Sequence, residues 1–252
     1  MFTSMNFVFD DIPSERYNLK IGFTDGSGLR DTFAGISQSI EEVKIKRVDK
    51  PIFLGVETTG KIEFELTLFS EEELDTYDRQ AIDRWLFQKQ YKFFQIEQED
   101  YNGLFFNAII ESGSKVEIGN IPYAKKIMII CDSPYVYTDE YTSTYNSPTT
   151  FNMTNLSNLN DYYYPEMTIT RGVGGTSSIL NTTEGRTFEI TGMSASEVLE
   201  VDNERKILLS SSGLPKISDF NKKWFRLLPD DNTITLVGDF ELQLKIRYRK
   251  TI

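Results

Sequence analysis

Residues Glu57–Ile96, ETTGKIEFELTLFSEEELDTYDRQAIDRWLFQKQYKFFQI, decide the fold. In Lys61–Phe69, Ile62, Phe64, Leu66 and Leu68 alternate with Glu63, Glu65 and Thr67. That two-residue period belongs to a half-buried strand. Ser70–Glu73 follows at once. Its spacing predicts a capping box, with Ser70 taking a free N–H group of a helix and Glu73 reaching back to the Ser70 N–H. Three adjacent acids also suit the positive end of a helix dipole. Leu74, Tyr77, Ala81, Ile82, Trp85 and Leu86 then recur at intervals of three and four, which predicts one apolar stripe on a helix reaching about Gln90. Asp75, Arg79, Asp83 and Lys89 fall on its wet side. Tyr91–Glu97 returns as a strand. No other segment carries a strong helical period, so the remainder is expected to be sheet.

Upstream, short strands are expected at Phe7–Phe9 and Leu19–Phe23. A longer extended segment is expected at Ile36–Val48, with Val43 and Ile45 inward and Lys44, Lys46 and Arg47 outward. Asp49–Pro51 ends it. Downstream, Asn102-Gly103 is a hairpin signal joining Phe93–Glu97 to Leu104–Ile110. Lys115–Ile118 and Lys125–Cys131 complete a sheet.

The character changes at Asp132–Tyr135. Tyr135–Tyr164 holds seven tyrosines among Thr, Ser and Asn, and reads as a linker followed by loops. Short segments at regular spacing follow: Glu166–Arg171, Arg186–Thr191, Glu197–Asp202, Arg205–Ser210, Trp224–Leu228, Thr233–Val237 and Asp239–Arg249. Such spacing predicts a β-sandwich. In the last segment Phe240, Leu242, Leu244, Ile246 and Tyr248 are expected inward. The fold class is therefore mainly β, in two domains, 1–133 and 134–252.

Composition narrows the chemistry. The 252 residues are 39% hydrophobic, with 13 Tyr and 18 Phe, which fits folded β protein. The net charge is −11, most of it before residue 134, and no basic stripe is present. Binding along nucleic-acid phosphates is not expected, because that requires clustered Lys and Arg. No histidine is present, which removes the commonest general base and metal ligand. Cys131, in the apolar run Ile127–Cys131, is expected to be a buried small hydrophobe. The N-terminus lacks signal-peptide character and no segment approaches a membrane span, so a cytoplasmically made chain without membrane insertion is expected. The glycosylation triplets at Asn152, Asn155 and Asn181 then read as incidental.

No segment carries catalytic machinery. The acidic pairs Asp10-Asp11, Glu97/Glu99/Asp100, Asp139-Glu140 and Asp230-Asp231 are sequence neighbours in turns, not carboxylates facing each other across a cleft. The glycine-rich Gly172–Ser178 lacks the lysine and helix of a phosphate loop and reads as a flexible hairpin loop. Trp85 and Trp224 read as core. The cluster Tyr162, Tyr163 and Tyr164 divides between core and a contact surface, with sugar stacking a lesser alternative. No enzymatic activity, cofactor or metal is expected.

Taken in order, several blocks resemble the distal tail proteins of long-tailed bacteriophages. They are the strand Lys61–Phe69 leading to Arg79–Leu86, the hairpin at Tyr101–Gly103, and the junction Cys131–Tyr135. Later blocks are Tyr164–Glu166, Val201-Asp202, Trp224–Asn232 and Ile246–Arg249. Asp231 stands where members often have Gly. The resemblance implies a tail-tube-like N-terminal β-sandwich with one flanking helix, followed by a galectin-like C-terminal sandwich. It also implies a homo-hexameric ring in the virion, at the tail tip, synthesised in the host bacterial cytoplasm. The ring would join the tail-tube protein to a tail-hub protein. Receptor-binding or baseplate proteins would attach to the outer domain, and DNA would pass through without specific binding. Ile36, Ile40, Val43, Ile45 and Val48 would form an arm between subunits, and Tyr162, Tyr163 and Tyr164 an outer contact patch. The alternatives are a carbohydrate-binding module and a tail-tube subunit.

Overall fold

The computed structural model describes residues 5–22, 37–70, 73–118 and 121–252. The chain divides into two compact units, Met1–Tyr137 with Thr251–Ile252, and Thr138–Lys250.

The first unit contains β1 (Phe7–Phe9), β2 (Ile12–Pro13), a 3-10 turn at Ser14–Tyr17, β3 (Leu19–Gly22), β4 (Ser37–Val43), β5 (Ile52–Thr59) and β6 (Glu63–Ser70). Helix α1 (Thr76–Leu86) follows, then β7 (Lys92–Ile96), a 3-10 turn at Glu99–Tyr101, β8 (Leu104–Ile118), β9 (Ile121–Cys131) and β10 (Val136–Thr138). Seven strands hydrogen-bond in the order β2–β1–β7–β8–β9–β6–β3, and β10 lies beside β8. Met5 and Ile21 exchange both backbone bonds, at 3.1 and 2.8 Å, so the path from β1 around to β3 closes on itself. Inside sit Phe7, Phe9, Leu68, Phe94, Ile129 and Cys131, joined by Trp85 and Leu86 of α1. Trp85 stacks 5.7 Å from Phe7, and its indole N–H donates to the Phe9 carbonyl at 2.9 Å. A buried indole needs that partner.

The helix is shorter than the sequence pattern implies. Asp75, not Ser70, caps it: its side chain accepts from the Asp78 N–H at 2.8 Å, and Asp78 accepts from the Asp75 N–H at 3.4 Å. Ser70 is instead the last residue of β6, opposite Leu19 of β3. Ile82, Trp85 and Leu86 are buried as expected, but Tyr77 is 82% exposed. Within the helix only the last two turns meet the core, while Leu74, just ahead of it, packs against the same cluster. The Asn102-Gly103 turn is also modified. Asn102 keeps a negative φ of −61° and only Gly103 turns positive at 69°, after the 3-10 turn. Those angles are those of a type II turn.

The second unit is an antiparallel sandwich. Its strands are β11 (Tyr141–Asn146), β12 (Thr149–Asn155), β13 (Glu166–Arg171), β14 (Gly175–Asn181), β15 (Arg186–Met193), β16 (Val198–Asp202), β17 (Ile207–Ser210), β18 (Asp230–Val237) and β19 (Phe240–Ile246), with a short β20 (Arg249–Lys250). One sheet runs β11–β19–β13–β16–β17 and the other β12–β18–β14–β15. Ile169, Leu242 and Leu244 of the first meet Ile179, Phe188 and Ile234 of the second in a single core. Phe240, Leu242, Leu244, Ile246 and Tyr248 are all buried, in keeping with their alternation.

Two expectations for this unit are corrected. Tyr135–Tyr164 is not mainly linker and loop, because it supplies β10, β11 and β12. Threonine and tyrosine favour pleated backbone without adding aliphatic character. Trp224–Leu228 is not a ladder strand. Its backbone groups go largely to side chains: Asn203 accepts from the Phe225 N–H at 2.8 Å, Arg186 donates to the Trp224 carbonyl at 2.9 Å, and Asn181 to the Arg226 carbonyl at 3.1 Å. Trp224 and Phe225 are nevertheless core residues.

Candidate functional site: the uncovered arm

Strands β4 and β5 form a separate two-stranded sheet that pairs with no other strand among the described residues. Such a ribbon is marginal in water by itself. Its turn spans 44–51, where Arg47 has φ 74° and the Val48 N–H bonds the Ile45 carbonyl at 3.1 Å.

Residues opposite each other in an antiparallel pair share a face. Ile40 opposes Val56 and Glu42 opposes Phe53, so these four lie on one face. Ser39 opposes Glu57 and Glu41 opposes Gly55 on the other. A register shift between Glu41 and Glu42 marks a bulge that re-aims the outer part of the ribbon. One face therefore groups Ile40, Phe53 and Val56 with Gln38, Glu42 and Thr58, and the other carries Val43 and Ile52 at its outer end beyond polar residues; both are wet. Ile40 is 65% exposed and Phe53 63%, and Leu54 and Val56 are also open. Contiguous exposed apolar surface marks an interaction site.

The expected arm residues fall on two parts of this ribbon. Ile40 and Val43 lie on β4, while Ile45 and Val48 lie in the turn. Ile36 lies outside the described residues. Val43 and Ile45 are not inward: both are exposed, because nothing described in the chain packs over the ribbon. Sequence reading stopped the segment at Pro51 and missed β5, although a turn followed by the apolar run Ile52–Val56 is itself a hairpin signal.

The tyrosine cluster separates. Tyr163 belongs to the sandwich: it bridges to Leu227, packs 4.9 Å from Tyr248, and its hydroxyl accepts from the Arg247 N–H at 2.9 Å. Burial pushes its hydroxyl up to about 12. Tyr162 is partly exposed, but the Arg226 guanidinium lies 3.6 Å from its ring centre. Arg226 also pairs with Glu184 and reaches the Tyr164 hydroxyl at 3.5 Å. The three rings do not form one open platform for a sugar.

Other sequence features resolve into structure. Cys131 is a free, buried thiol pushed up to about 12, chiefly by burial. Asn155 and Asn181 are buried, with their amides on the Leu228 and Arg226 carbonyls. The glycine-rich loop turns carbonyls toward Arg171, which donates to the Thr176 carbonyl at 2.7 Å. Among the described residues, no three His, Cys, Asp or Glu side chains gather as metal ligands would, and no helix is long and apolar enough to cross a membrane.

Comparison with known proteins places this architecture. A family model described as the phage tail protein N-terminal domain matches residues 2–133, and one described as the phage tail C-terminal domain matches residues 135–248. A SPbeta prophage-derived uncharacterized protein, YomH of Bacillus subtilis, is 27% identical over 98% of each chain. The Dit protein of phage SPP1, described as a paradigm of the hub adsorption apparatus in phages infecting Gram-positive bacteria, superposes with a TM-score of 0.66 at 11% identity, over 96% of this chain and 98% of that one. A chain of the phage P2 baseplate in its activated conformation with calcium gives 0.50 at 10% identity, over 96% and 98%. With its mainly β, two-unit architecture, the chain belongs to the phage tail protein family and has the fold of the distal tail proteins.

Proposed function

We propose that the chain assembles as a homo-hexameric ring at the distal end of a phage tail. In this reading the first unit builds the ring and joins the tail-tube protein to a tail-hub protein. The second unit offers surfaces to receptor-binding or baseplate proteins, and DNA passes through the ring unbound.

The observation that carries the reading is the arm. A ribbon with Ile40, Phe53 and Val56 open to water on one face requires a partner that its own chain does not supply among the described residues. The net charge of −11 also suits a passage for DNA, since like charge discourages sticking. The likeness to the SPP1 hub protein across both units supports the placement.

Gold-labelled antibody against the chain, applied to intact phage and imaged, tests it. Label confined to the tail tip is expected. Label along the tail would make the chain a tube subunit, and unlabelled virions would overturn the reading.

A further inference from the structure

An open pocket lies between α1 and the sheet of the first unit. Leu19, Leu68, Leu74, Ile82 and Ala124 form its apolar floor and walls. Arg79, Lys115 and Lys125 stand around it. Lys125 is paired with Asp83 and is held below its ordinary pKa by burial. Among the described residues neither Arg79 nor Lys115 has an acidic partner. The pocket is thus an apolar hole whose rim carries three cations and the carboxylate of Asp83.

On the arm, inside the turn that carries Lys44, Lys46 and Arg47, Phe53 stands directly opposite Glu42, so an exposed aromatic side chain and a carboxylate project side by side. Aromatic anchors filling preformed pockets dominate binding energy at interfaces, and charges of opposite sign at the rim fix the register. Resting on the ring reading above, we infer that the pocket receives the arm of a second copy of this chain. Phe53 enters the hole and Glu42 meets the rim at Lys115 or Arg79. Arm and pocket are different surfaces of one subunit, so the contact is heterologous. Repeated contacts of that kind close into a ring when the rotation allows.

Cysteine trapping tests this, because the native Cys131 is buried and its thiol is pushed up to about 12. Phe53→Cys and Leu74→Cys are made separately, checked for unchanged melting, and oxidised alone and mixed at high concentration. Covalent dimer in the mixture, with none in either alone, is expected. Dimer in Phe53→Cys alone would mean symmetric arm-to-arm pairing and overturn the inference. Charge exchange is the second arm of the test: Lys115→Glu with Arg79→Glu should abolish rings, and adding Glu42→Lys should restore them. Rings on imaging that neither cross-link nor respond to charge exchange would remove the pocket contact and leave the ring reading standing. Absence of both rings and cross-links would remove both.

Discussion

Strands β5 and β19 are built from similar residues and meet opposite fates. In β19 every second residue is apolar, from Phe240 to Ile246, and each of these is buried against the facing sheet. In β5 the run Ile52–Val56 is almost wholly apolar, yet Phe53 is 63% exposed. The difference is the layer opposite. The second unit has two sheets to face each other, whereas β4–β5 has no second layer among the described residues. Apolar content therefore reports a surface that must be covered, and says nothing of whether the cover is in the same chain.

That contrast can be broken from the sandwich side. Lys216 is buried with Glu197, 3.1 Å from its carboxylate and 3.0 Å from the Gly192 carbonyl. Lys216→Met leaves a buried carboxylate unpaired and should cost about 3–5 kcal/mol in denaturant unfolding. The same pair gives a pH signature. Burial alone would raise the Glu197 pKa, but hydrogen bonds from Ser210, the Ser194 N–H and Lys216 outweigh it and hold the carboxyl at about 2. A depressed carboxyl stabilises the fold fully above its ordinary value near 4.5, and that contribution fades as pH falls toward 2. Melting temperature should fall over that window in the native protein, with a smaller fall in Glu197→Gln.

A matched pair of truncations comes next. Leu242→Ala in β19 should cost about 2–5 kcal/mol of unfolding free energy. Phe53→Ala on the arm should move the stability of the single chain by no more than about 0.5 kcal/mol. Comparable losses at both sites would mean that the arm is covered within its own chain. Smallest is the helix cap: Asp75→Ala should cost about 1 kcal/mol, and Ser70→Ala should leave helix stability alone if Asp75 is the cap.

Much of the fold could be read from the sequence because period and burial agree where two layers exist. The alternation of β19 and the core half of the α1 stripe are examples; in β6 only the start alternates, since Thr67 is buried along with Leu66 and Leu68. The misreadings have specific physical causes. Two acidic, cap-competent clusters lie five residues apart, and Ser70 is claimed by pairing with β3, which leaves Asp75 to cap the helix. Strands β11 and β12 draw on Thr and Tyr, so aliphatic content understates them. The segment 224–228 looks like a strand but gives its bonds to Asn203, Arg186 and Asn181, which are remote in sequence. At the candidate site, the exposed character of Val43 and Ile45 could not be seen, because one sequence does not reveal that the ribbon lacks a second layer. Which tyrosine of Tyr162–Tyr164 points inward is set by the Tyr163–Leu227 bridge, a long-range pairing.

The most direct test of the account compares the native 29.1 kDa chain with an Ile40→Asp/Phe53→Asp variant by light scattering and negative-stain imaging. The native protein should give a six-fold ring, and the variant a folded single chain. A variant that still forms the ring, or a native chain that stays single at high concentration, would contradict it.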